Sequence, residues 1–485
     1  MKTTSKTKLN LILQTLYQIL NTCLPLITAP FLSRRLGATQ LGVFSYVSSV
    51  SSYFALFAML GIINYGTRSI AACGNDRKKR SDTFWNIYLM QAGLACICTI
   101  IYILYITLFV KENTLLFVIQ ALYVFSCALN INWLYFGVED FKLSVLRNSI
   151  VRVASVILIL VLIKDPDDLW IYALIIAGSE LISQLIMWIQ VPKVVGRGKV
   201  RIGTIISNIK PNIVLFLPLL AMSIYHIMDK TMLGTLSTYD QSGYYYNADK
   251  VVNVTMGVIS GISTVMLPRM TSLISEGKKK ESDDLFRLSL EGTAVAGIAM
   301  AFGIAAIANE FEPIFFGPGY DECILLTIVL APVLIIKSFS FTARYQYLIP
   351  HHKEKSYTVS VVLGAIVNLI ANMMLIPRLG AMGAVIGTLL AELVACLWQF
   401  IAIRTMISLK TTIARCIVYF LFGLLMFSGV RMVALLDMNI YIKVFIEVIV
   451  GILIYLLTCM IYWKITGNNI RHVMFGRFLH KGTLR

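Results

Sequence analysis

Charge is what this chain has least of. Charged residues are 14% of its 485 residues, against about 25% in a soluble domain. Hydrophobic residues are 58%, more apolar surface than a soluble core of this length can hide. The bilayer is the solvent that fits. Signatures of chemistry are missing too. No G-x-x-x-x-G-K-[ST] run is present, which excludes ATP hydrolysis by that route, and neither a nucleophile elbow nor H-E-x-x-H occurs. The nine cysteines are scattered, and the closest pair, Cys96-x-Cys98, lacks zinc-ligand spacing. Most read as buried thiols. The five histidines are scattered as well, with only His351 and His352 adjacent. No cleavable signal is apparent. The first apolar run, Leu9 to Leu32, is about 36 Å long as a helix, which spans a membrane. Pro25 and Pro30 predict a kink in it. With catalysis unsupported, transport is the role left standing.

What is present is a repeated pattern. About fourteen apolar segments of spanning length run near 9–33, 41–67, 83–110, 114–138, 145–163, 169–191, 211–234, 247–271, 287–309, 322–347, 356–376, 382–404, 412–435 and 441–463. Gln40, Gly42 and Arg68 fall on Gln241, Gly243 and Arg269 at a constant offset of 201, with Phe44 on Tyr245. At an offset of 212, Tyr135 falls on Tyr347, and Ser179-Glu180-Leu181 on Ala391-Glu392-Leu393. The expected fold is therefore an all-α membrane protein: two pseudo-symmetric six-helix lobes around a central cavity plus two C-terminal helices. The expected divisions are 1–191 for the first lobe and 192–210 for a cytoplasmic inter-lobe linker. The second lobe takes 211–404, and helices 13–14 with a cytoplasmic tail take 405–485.

Net charge is +17. In a soluble protein that balance would suggest nucleic acid. Here the bases sit in alternate loops, as in Arg77-Lys78-Lys79-Arg80 and Lys278-Lys279-Lys280, while loops such as Lys164-Asp165-Pro166-Asp167-Asp168 are poor in base. The positive-inside rule then places both termini in the cytoplasm.

Ionisable residues inside spans are the functional candidates. Glu180 and Glu392 lie mid-helix at matching repeat positions. Lys337 lies deep in segment ten, and Arg152 about two turns into segment five. Asp229-Lys230 and Asp249-Lys250 flank the outer ends of segments seven and eight. Arg34 and Arg35 close segment one outside; Arg68 and Arg269 close segments two and eight inside. Each has a plainer explanation. Arg68 and Arg269 could snorkel to headgroups. The Asp-Lys pairs could neutralise each other. Glu180 and Glu392 could hold helices together by hydrogen bonds. Lys337 is harder to explain structurally, because a lone buried ammonium is costly. Asn368 and Asn372, the Gly257/Gly261 and Gly383/Gly387 pairs, and Tyr244-Tyr245-Tyr246 read as packing or interface anchors.

Several runs together resemble the Wzx-type oligosaccharide flippases, the polysaccharide-export branch of the MOP superfamily. They are Pro30 to Gly37 with Gly42 to Tyr46; Asn132 to Lys142 with Arg147-Asn148; Leu267-Pro268-Arg269; and Gln346 to Pro350 with Lys353 to Lys355, Gly364, Asn368, Pro377 to Ala384 and Glu392. The resemblance implies a bacterial cell-membrane transporter with a cationic cavity. Its cargo would be an undecaprenyl-pyrophosphate-linked oligosaccharide, and its partners a polysaccharide polymerase and other assembly proteins, not nucleic acid. The residues matching such a cavity are Arg34, Arg35, Arg68, Arg152, Lys250, Arg269 and Lys337. Glu180, Asp229 and Glu392 are candidates for coupling or packing. No cofactor is implied, though coupling to Na+ or H+ is open. The rival readings are a lipid II or teichoic-acid precursor flippase, and a cation-coupled multidrug antiporter, which would want an acid-lined cavity.

Overall fold

The computed structural model describes residues 2–404 and 407–467. The tail bases from Arg471 onward lie outside the described residues. Eighteen α-helices follow in order: α1 (Lys2–Met59), α2 (Ile62–Ala71), α3 (Arg77–Phe109), α4 (Thr114–Leu129), α5 (Asn132–Gly137), α6 (Phe141–Leu162), α7 (Leu169–Trp188), α8 (Val191–Val194), α9 (Ile202–Ser207), α10 (Ile209–Leu236), α11 (Tyr239–Ser275), α12 (Lys279–Phe316), α13 (Asp321–Leu330), α14 (Pro332–Ala343), α15 (Glu354–Leu379), α16 (Ala381–Ile403), α17 (Lys410–Ala434) and α18 (Ile440–Thr466). A π-helical segment, Arg344–Leu348, continues α14.

Among the described residues twelve helical stretches are long and apolar enough to cross a membrane. The first, Leu24–Ala71, has 48 residues and bends at Gly37, whose φ of 77° and ψ of 173° break the helix. Only glycine adopts that conformation without steric cost. The limb beyond it, from Ala38 to Met59, is about 33 Å at 1.5 Å per residue, and the limb before it begins at Lys2, so α1 holds two crossings. α10 adds 28 helical residues. Counting both limbs and α10 takes twelve to fourteen. The protein is an all-α, multi-pass membrane protein.

Two compact units form, Met1–Gly243 and Tyr244–Arg485. The division falls after α10, whereas the sequence pattern places it before. The reason is packing: α10 lies against α1, α2 and α9. The basic connection after α7 is anchored as well. Its backbone is stitched to α3. The Pro192 and Val194 carbonyls accept from Arg77 and Arg80 at 2.8 and 3.2 Å. The Gly196 amide donates to the Ser81 hydroxyl at 2.8 Å, and the Gly196 carbonyl accepts from the Trp85 indole at 2.9 Å. The Lys199 and Arg201 amides donate to Asp82 and Asn86 at 2.7 and 2.9 Å. Gly198 lies so close to the Ser81 backbone that a Cβ would come within 2.6 Å of it.

The repeat is visible in one contact of the first unit. Thr39 donates to the Asp240 carboxylate, and these are equivalent positions at the offset of 201. Nearby, a Cβ on Gly42 would fall on the Tyr239 carbonyl, and one on Gly243 would fall on the Ala38 carbonyl. Adding 201 to Gly42 and Ala38 gives Gly243 and Tyr239, so the offset exchanges the two contacts. Reciprocal contacts of this kind require a local two-fold axis between the helices.

Candidate functional site

The fourth and tenth spans are both irregular, and at matching positions. α4 stops at Leu129 and restarts at Asn132 as α5; adding 212 to 132 gives 344, where the π-helical segment begins. A broken helix at membrane depth must satisfy its freed backbone groups internally. In the first unit a side-chain network does so. Gln91 donates to the Cys127 and Asn130 carbonyls, both at 2.7 Å, and accepts from the Trp133 indole at 2.8 Å. The Trp188 indole caps the Leu129 carbonyl at 3.0 Å. Arg147, buried, donates to the Ser183 carbonyl at 2.7 Å, to Asn148 at 2.6 Å and to Asn132 at 3.2 Å. Trp133 is wholly buried against Phe84 and Gly66. This half of the pattern is a locked structural joint.

The second unit is different. Lys337 on α14 meets Glu392 on α16 at 3.2 Å, both nearly buried. Ser340 donates to Gln399 at 3.1 Å, and Gln399 donates to Ser360 at 3.1 Å. Beside them Arg344 stacks its guanidinium on Tyr345 and Tyr357, at 4.6 and 4.2 Å from the ring centroids. Its buried Nε has no hydrogen-bond partner, nor have the Gln346 amide atoms or the Tyr347 hydroxyl. Buried polar groups are nearly always paired. Four unsatisfied atoms lie on one π-helical turn, and π-bulges recur at functional sites.

The Lys337–Glu392 pair corrects the expectation of a lone ammonium. The cation is neutralised by the acid that the repeat pattern singles out, a pairing that resolves its burial cost. These two candidates are brought together. Arg34 and Arg35 are exposed at the Gly37 bend, and Arg35 donates to the Lys164 carbonyl at 3.3 Å. Arg68 on α2, Arg152 on α6 and Arg269 on α11 are exposed. Lys250 sits over the Tyr246 ring at 4.4 Å. Glu180 is half-buried on α7 near Tyr123. Asp229 is buried on α10, and Asp249 accepts from Asn253 at 2.6 Å. In the loop after α11, the Lys278 ammonium at 2.7 Å and the Ser272 hydroxyl hold the Glu276 carboxyl below its ordinary range.

Sequence reasoning passed over Arg344, which stands two residues before the Gln346-Tyr347 run and reads as an interfacial base. It also passed over Glu291 and Glu447, acids inside spans nine and fourteen that the same rule for buried charge would have found. Glu291 accepts from Arg415 at 3.0 Å and Tyr419 at 2.6 Å.

The family described as polysaccharide biosynthesis protein matches residues 8–274. Proteins named as O-antigen transporters in Escherichia coli K12 and Shigella dysenteriae are 25% and 27% identical to the chain. They match over 79% and 82% of its length and 93% and 100% of theirs. The low-salt glycan biosynthesis flippase Agl15 of Haloferax volcanii is 25% identical over 52% of the chain and 53% of its own length. Among solved structures, the lipid II flippase MurJ in an inward closed conformation superposes with a TM-score of 0.78 at 13% identity, over 95% of this chain and 100% of that one. An inward-facing MATE transporter of the MOP superfamily gives 0.61 at 15% identity, over 82% and 96%. With more than half its length matched, the chain belongs to the polysaccharide biosynthesis protein family and is a transporter rather than an enzyme.

Proposed function

We propose that the chain flips undecaprenyl-pyrophosphate-linked oligosaccharide units from the cytoplasmic to the outer leaflet of a bacterial cell membrane, by alternating access. The observation that carries the reading is the match to nearly the whole length of two proteins named as O-antigen transporters. The physics supports it. The lipid tail stays in the bilayer while the head crosses, so the protein must replace water around phosphates and sugar. Arginine does this with a planar fork of donors. Arg344 is the residue best prepared, because two tyrosine faces hold its guanidinium flat while its Nε stays unpaired. Arg34, Arg35, Arg68, Arg152, Lys250 and Arg269 are proposed to guide the same anion. Lys337 contributes through its pair with Glu392. Moving negative charge outward across an inside-negative membrane gains about 2.3 kcal/mol per charge per 100 mV. Coupling to Na+ or H+ through Glu180, Asp229 or Glu392 would add to that drive. Both termini face the cytoplasm in this reading, and a polysaccharide polymerase receives the cargo.

The test is the lipid that accumulates when the gene is deleted. A sugar-bearing undecaprenyl diphosphate held in the inner leaflet is expected. Accumulated lipid II or a teichoic-acid precursor would replace this reading with a rival, and no lipid change with altered drug accumulation would favour antiport. In a complemented strain, Arg344→Ala is expected to lower export about tenfold or more. Losing a charge-assisted hydrogen bond costs roughly 1.5–3 kcal/mol, and each 1.4 kcal/mol is about tenfold. Arg344→Lys should restore part of it. Full export by Arg344→Ala would remove that residue from the site.

A further inference from the structure

We propose that Glu447 is a proton-binding carboxyl of the C-terminal helix pair, held neutral while Arg431 is engaged by Glu310. Glu447 lies on α18 and is wholly buried. Neither of its oxygens has a hydrogen-bond partner among the described residues. It lines a cavity of about 320 Å³ together with Thr255 of α11, Met300 and Ile304 of α12, Met426 of α17 and Gly451 of α18. Those walls are apolar, with nothing charged from α11.

The charged neighbours from the packed elements are Glu310 on α12, Arg431 on α17 and Lys443 one turn earlier on α18. Arg431 donates to the two Glu310 oxygens at 3.1 and 2.8 Å and to the Ala306 carbonyl at 3.0 Å. Lys443 donates to the Ala434 carbonyl at 3.0 Å. The nearby Tyr455 hydroxyl is spent on the Val295 carbonyl at 3.0 Å. Glu291, equally buried on α12, shows the contrast: it has an arginine and a tyrosine as partners. An ionised carboxylate cannot stay unpartnered in such surroundings; it neutralises or captures a cation. Protonated, Glu447 fits the cavity. On release its O–H bond breaks, oxygen keeps the pair and the proton passes to water. The anion then competes with Glu310 for Arg431, giving α12, α17 and α18 two packings that differ by one proton.

The experiment is infrared difference spectroscopy of the full chain in lipid nanodiscs, titrated with pH. The C=O stretch of a protonated carboxyl is expected near neutral pH, fading as pH rises, and one carboxyl's worth of that band should be lost in Glu447→Gln. That variant replaces a neutral acid by a neutral amide, so it should fold with unchanged helix content and thermal midpoint. A band unchanged in Glu447→Gln overturns the proposal. So does an unfolded variant, because it would show that the negative charge is required. No cargo is needed, so the outcome is separate from that of the export assay.

Discussion

Glu392→Leu is expected to be the most damaging single change in the second unit. It strands the Lys337 ammonium, nearly buried and 3.2 Å from the lost carboxylate. Breaking a buried pair by removing one partner costs about 3–5 kcal/mol, while replacing both partners by apolar groups of similar volume is often neutral. The thermal midpoint of purified Glu392→Leu should therefore fall by many degrees. The double variant Lys337→Met/Glu392→Leu should recover most of that loss. The two readouts separate structure from transport. A double variant that folds well yet exports poorly makes the pair part of the transport cycle; one that exports normally makes it packing alone. A single variant as stable as the parent chain would mean that the pair does not form.

The second large effect is expected at the reciprocal glycines. Gly42→Ala places a methyl where the Tyr239 carbonyl stands, and Gly243→Ala does the same against the Ala38 carbonyl. Neither neighbour is a flexible side-chain end, so one backbone must retreat. Overpacking of this kind costs about 1–3 kcal/mol. It also separates Thr39 from Asp240, which are hydrogen-bonded. Cysteines introduced at those two positions, in a chain whose nine native cysteines are replaced, should crosslink with a short reagent. Adding Gly42→Ala should cut the yield severalfold. Equal yields with and without the methyl would rule out the close approach.

Both features were partly written in the sequence. The offset of 201 pairs Gly42 with Gly243, but pairing in a repeat does not say that the two copies touch. The offset of 212 marks Glu392, and hydropathy marks Lys337, yet their meeting depends on how α14 turns against α16, across 55 positions of chain. The spans were legible because apolar runs of membrane length have few alternatives. The π-helical turn at Arg344 was not, since no composition signal separates it from a continuing helix. Glu447 was not legible for a simpler reason: the two C-terminal helices fall outside the repeat, so no symmetry partner marks it.

The connection after α7 illustrates what composition cannot report. Its glycines and bases read as an inter-lobe linker, but whether a backbone amide finds a partner depends on the neighbouring surface. Here the amides of Gly196, Lys199 and Arg201 are all taken by side chains of α3. Deuterium should enter them slowly, as it does in regular structure and not as in coil. A peptide covering this stretch that exchanged at once would deny the docking. If it holds, lengthening this segment would gain no extra reach, and any swing of the chain beyond it must begin later, where the anchoring ends.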